Sequence, residues 1–327
     1  MKVTLFVTTF LLAASMSVYA ADPPAWAYGF TTPLSQAPPA GAPGGRGGGR
    51  GRAEAPAAPL HLEGSTGEFT RRQVSDGFGP ADWFPGDHPA MPEIVAHGRR
   101  PDIRACALCH YPNGQGRAEN AAVNGFPAEY FLEQLKEFAE GDRKSADTRK
   151  GNTNAMIAIA KAMTPEEKKA AADYYAAIPF KQWVQVKETT MVPKTHTNVG
   201  LFLVNEGNET EPLGDRIIEV PVSAEQTETY RNPRSGFIAY VPVGAVKKGE
   251  AVAKTGHCAL CHGSDLKGLG PAPSIAGRSP SYMMRQLYDM QAGTRKGAWT
   301  ALMKPVVAPM SEDDMLNVVA YVASLKP

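Results

Sequence analysis

The chain has 327 residues, 43% of them hydrophobic, enough apolar material for ordinary cores and, by its length, for two domains. Its 34 lysines and arginines nearly balance 33 acidic residues, so charge gives no reason to expect nucleic acid or an anionic membrane as a partner.

The amino terminus shows Lys2, a mostly apolar run from Val3 to Ala14, and Val18-Tyr19-Ala20. A charged start, a short apolar core and small residues at the cleavage positions predict a signal peptide over 1–20, cut after about Ala20. The run is too short for a bilayer, which takes ~20 helical residues, and no later stretch is longer. The mature protein is therefore expected to be exported to the periplasm with no transmembrane segment. Residues 21–60 are rich in Pro, Ala and Gly, with Gly and Arg alternating around 44–52. This composition predicts a disordered tether. Residues 61–90, with Trp83, Phe84 and several prolines and glycines, predict an irregular segment packed on the first of the two domains.

Cys106-Ala107-Leu108-Cys109-His110 and Cys258-Ala259-Leu260-Cys261-His262 are two copies of one pentapeptide, and they hold all four cysteines. C-x-x-C-H is the spacing for covalent attachment of c-type haem. Two thiols on one helical turn each form a thioether, and the adjacent histidine offers an imidazole to the iron. The rival readings are a zinc ribbon or a dithiol centre. Ribbon pairs lie close in sequence, whereas these are 152 residues apart, and neither rival explains the histidines. Two covalently bound haem c groups are expected, with iron bound by His110 and His262. His88 and His97 precede the first motif and read as surface or core residues.

The first unit, 91–180, is expected to open with a helix running from Met91 into the motif, continue through an amphipathic helix around Tyr130–Phe138, and close with a helix started by Thr164-Pro165-Glu166-Glu167. Residues 181–245 carry β-branched and aromatic runs at Val192 to Val204, Arg216 to Val222 and Gly236 to Val243, which predict a β-rich or extended connector. The second unit, 246–327, opens with a helix leading into Cys258 and closes with one capped by Ser311-Glu312-Asp313-Asp314.

Registered on their motifs, the units match at Gly125/Gly277, Tyr130/Tyr282, Gln134/Gln286, Gly141/Gly293 and Arg143/Arg295. Past a loop five residues longer in the first unit, Thr164 meets Ser311 and Tyr174 meets Tyr321, so the chain holds an internal duplication. The same register selects Met156 and Met303, each eight residues before a closing cap, as distal iron ligands in the loop ahead of the last helix. A thioether favours ferrous iron and raises the potential. Met163 and Met310, next to each cap, are rival candidates.

These motifs resemble the tandem dihaem class I cytochromes c of the c-four type. The resemblance rests on C-x-x-C-H, the Tyr-x-x-x-Gln-Leu helix, Gly-x-Arg, the loop methionine and the capped last helix. It implies a mostly α fold, two class I cytochrome c domains joined by the β-rich connector. It also implies that the Pro273 carbonyl accepts from the other ring nitrogen of His262; the first unit has Ala121 there. The activity implied is single-electron transfer, with redox proteins as partners: a dehydrogenase donor and an oxidase or other cytochrome as acceptor. A dihaem redox enzyme such as a peroxidase, or a dedicated cytochrome subunit of a periplasmic dehydrogenase, is the alternative.

Overall fold

The computed structural model describes residues 22–38 and 58–327. The predicted signal peptide lies outside the described residues, as does the glycine- and arginine-rich part of the predicted tether. Residues 22–38 correct the tether prediction. Ala25–Tyr28 (α1) is a short helix whose Trp26, Ala27 and Tyr28 are buried. Four apolar side chains in a row, three of them buried, give this segment something to bury, which its average composition concealed.

Residues 58–90 hold a two-stranded hairpin, Leu60–His61 (β1) with Glu68–Phe69 (β2), and a capped turn of helix, Arg71–Val74 (α2). Leu62, Val74, Trp83 and Phe84 form a small core of their own.

The first unit begins with Glu93–Ala96 (α3), a single turn, and the motif helix is separate, Cys106–His110 (α4). The expected continuous helix is broken because Gly98 takes a left-handed φ of 65° and Pro101 follows closely, removing a backbone donor. Ala128–Glu140 (α5), Gly151–Ala162 (α6) and Pro165–Ala176 (α7) complete this unit, with α5 packed on both α6 and α7.

Between the units come seven strands: Val184–Glu188 (β3), Met191–Pro193 (β4), Thr195–Asn198 (β5), Leu201–Val204 (β6), Thr210–Pro212 (β7), Ile218–Pro221 (β8) and Phe237–Val241 (β9). Strand β9 pairs in parallel with β3 and antiparallel with β8. A short helix, Ala224–Glu228 (α8), lies between β8 and β9.

The second unit comprises Ala245–Thr255 (α9), the motif helix Cys258–His262 (α10), Pro280–Gln291 (α11), Thr300–Val307 (α12) and Glu312–Ser324 (α13). Helices α9 and α13 cross at Gly249, where a methyl group would overlap the Asn317 carbonyl. Both closing helices carry full capping boxes, Thr164 with Glu167 and Ser311 with Asp314. One continuous apolar core runs from α1 through the strands to α11 and α13, and a second fills the first unit.

Candidate haem centres

Each motif occupies one five-residue helix, which puts its two thiols, three positions apart, on one face. Both helices end at a positive φ, 64° at Tyr111 and 83° at Gly263, and the chain loops back under the histidine. The loops match bond for bond. Gly116 N–H donates to the His110 carbonyl at 2.9 Å, and Gly268 N–H to the His262 carbonyl at 2.8 Å. His110 Nδ1 then lies 2.9 Å from the Ala121 carbonyl, and His262 Nδ1 lies 2.8 Å from the Pro273 carbonyl. A carbonyl only accepts, so each Nδ1 carries the proton and each Nε2 keeps its lone pair free. Burial pushes both imidazoles below their usual range, which keeps them neutral.

Two cavities adjoin these histidines. The first, about 850 Å³, is bordered by Cys106, Cys109, His110, Met156, Met163 and Tyr175. The second, about 570 Å³, is bordered by Cys258, Cys261, His262, Pro273, Met303 and Met310. Both fall within the size range of sites that enclose a cofactor. Met156 and Met303 stand on helices α6 and α12 rather than in loops, since the residues around Met156 are rich in alanine and other helix formers. Met163 is 6% exposed and packs with the closing helix. His88 and His97 line neither cavity. Burial pushes the Cys106 thiol up to about 12 and raises Cys109 and Cys258 as well. Burial of this kind disfavours the thiolate form that a metal site would use.

The two motifs are dressed differently. Around the first, Gly77 accepts from Ala105 N–H at 2.9 Å, and the Arg231 guanidinium donates to the Leu108 carbonyl. Around the second, Cys261 is exposed and Leu260 is 74% exposed.

Sequence reasoning used Tyr130, Gln134, Arg143 and their counterparts only as marks of duplication. The structure gathers them into one polar cluster, mostly buried, on the wall between the cavities. Its arginines hydrogen-bond to Gln and Tyr and to no carboxylate, and Arg295 Nε and Gln134 Nε2 lack partners altogether. A buried cation with no carboxylate hydrogen-bonded to it is costly. Apolar walls, paired thiols, a free imidazole nitrogen and buried cations at one edge fit haem, an apolar macrocycle with two carboxylates.

The cytochrome c family model matches residues 102–177 and 246–326. Cytochrome c-554(548) of Halomonas halodenitrificans is 38% identical over 80 residues, 23% of this chain and 96% of that one. The chain belongs to the cytochrome c family. As a cytochrome with two such domains, it binds two covalently attached haem c groups and serves electron transfer. A thiosulfate dehydrogenase electron acceptor of Stutzerimonas stutzeri is 25% identical over 231 residues, 70% of this cytochrome and 82% of that protein. Cytochrome c4 of Azotobacter vinelandii is 33% identical over 89 residues, 24% of this cytochrome and 42% of that one. No helix among the described residues is long and apolar enough to cross a membrane.

Proposed function

We propose that this cytochrome carries single electrons in the periplasm from a dehydrogenase to an oxidase or another cytochrome, with no substrate chemistry of its own. The observation that carries the reading is that each cavity is bordered by a paired-thiol turn, a neutral imidazole and a methionine thioether. Cys106, Cys109, Cys258 and Cys261 form the thioethers. His110 and His262 would hold the iron through their free ring nitrogens, and Met156 and Met303 through their sulfurs. Haem iron supplies the one-electron chemistry when bound. The Ala121 and Pro273 carbonyls hold each imidazole in the tautomer that leaves Nε2 free and orient its ring. The methionine sulfurs would leave an oxidant such as peroxide no free place on the iron and would favour its ferrous state.

A dehydrogenase donor is supported by the likeness, over 70% of the chain, to a protein named for accepting electrons from thiosulfate dehydrogenase. The sequence of residues 1–20 supports export. Met156→Ala and Met303→Ala should each abolish the far-red sulfur-to-iron charge-transfer band of one ferric haem. Survival of both bands in both variants would show that the sulfur ligands lie elsewhere, with Met163 and Met310 the next to substitute.

A further inference from the structure

The polar cluster between the cavities has a two-fold pattern that duplication alone does not require. Arg143 and Arg295, equivalent in the two units, face each other as an isolated antiparallel bridge. Lys144 N–H donates to the Thr294 carbonyl at 2.9 Å, and Lys296 N–H to the Asp142 carbonyl at 2.8 Å. Arg143 donates from Nη1 to Gln134 Oε1 at 2.8 Å, and from Nη2 to Gln286 Oε1 at 2.9 Å and the Tyr282 hydroxyl at 3.1 Å. Arg295 repeats this with the units exchanged: Nη1 to Gln286 Oε1 at 3.0 Å, Nη2 to Gln134 Oε1 at 2.9 Å and to the Tyr130 hydroxyl at 3.1 Å.

Each amide oxygen therefore accepts from both arginines, and the two guanidiniums are locked side by side. They are 9% and 6% exposed. The nearby carboxylate does not pair with them directly. Burial raises the pKa of Glu137 despite the arginines beside it, and both arginines donate to Gln and Tyr instead of to it. Arg143 borders the first cavity and Arg295 the second, while Tyr130, Tyr282 and Gln286 border both.

We infer that Arg143 and Arg295 act as a single counter-charge shared by both haems, so that the potential of each haem depends on both arginines. The physical ground is that buried charges are weakly screened and that both guanidiniums stand on the wall common to the two cavities. Positive charge near an iron favours the electron-richer ferrous state, so weakening it lowers the potential. The arginines are positioning residues, acting on the irons through the field they set. The inference rests on haem occupying both cavities, which the haem count of the same samples checks separately.

Gln134→Glu and Gln286→Glu are near-isosteric and put a carboxylate where both guanidiniums already donate, so they disturb packing least. In optically followed potentiometric titrations of the full-length holoprotein, each of these variants should lower both midpoints relative to the unsubstituted protein. Arg143→Gln should do the same, and Arg143→Lys, which keeps the charge, should bring both midpoints back toward the original values. If any charge-changing variant lowers one midpoint and leaves the other in place, each arginine serves only its own haem and the inference is overturned. A sample with one haem per chain would instead overturn the two-cavity reading. A merely structural cluster predicts that Arg143→Lys and Arg143→Gln shift the midpoints alike, which also contradicts the proposal.

Discussion

Each imidazole beside a cavity is set by a backbone carbonyl rather than by a charged partner. Proline provides one of these carbonyls and alanine the other, yet the two bonds measure 2.8 and 2.9 Å. In the first unit the loop is fixed by other contacts, among them Tyr111, 2% exposed and edge-on to Trp183. A difference in potential between the haems is better sought in the covering of the motifs, since burial disfavours the ferric charge. His88 is a different kind of histidine. Its Nδ1 faces the Pro89 carbonyl at 2.9 Å and its Nε2 the Asp82 carboxylate at 3.2 Å, so only the imidazolium donates to both. Burial pulls its pKa down, but Asp82 and Pro89 outweigh that and hold it above the usual value. A pKa raised on folding stabilises fully below the unfolded value of ~6.5 and is lost as pH rises through the folded value. Denaturant unfolding should thus show stability falling as pH rises above ~6.5, and His88→Gln should flatten that part of the profile. An unchanged profile would dismiss this role for His88.

At the scale of elements, the second unit depends on the crossing of α9 and α13. Gly249 allows the α9 backbone to touch the Asn317 carbonyl, so Gly249→Ala must push the helices apart. Overpacking of this kind costs about 1–3 kcal/mol, and thermal or denaturant unfolding of the holoprotein should show it. Equal stability would mean that the crossing relaxes without cost. Much of this architecture was legible in the chain. The repeat register found α5 and α11, and the caps found α7 and α13, because local hydrogen bonds at fixed spacing leave a local signature. Other features depend on distant partners. Tyr28 is buried because its hydroxyl donates to Asp289 at 2.7 Å, 261 residues away, which no window around Tyr28 reveals. The break between α3 and α4 is set by single residues, Gly98 and Pro101, inside an otherwise apolar run. The role of the Tyr–Gln–Arg positions was hidden for a related reason. Their spacing marked duplication, while their chemistry exists only where the two copies meet.

Across the whole molecule, buried arginines of the second unit tie it to the rest of the chain. Arg278 donates to the carbonyls of Ala122 and Asn124, both at 3.1 Å, and lies over the rings of Phe126 and Phe180; burial pushes its pKa down to about 9. Arg285 donates to the Ala27 carbonyl at 2.6 Å and the Ala118 carbonyl at 3.0 Å, so the amino-terminal segment is gripped by α11. Lys150 completes that grip by donating to the Tyr28 carbonyl at 3.2 Å. These contacts hold the two cavities against a common polar wall. The proposed carrier role predicts closed, six-coordinate haems that take up electrons one at a time. The most direct test is a potentiometric titration of the purified protein, followed optically, with the haem content measured on the same sample. Two haems per chain, two successive one-electron steps and low-spin spectra throughout are the predicted result. A single haem, or a high-spin haem that turns over peroxide, would contradict it.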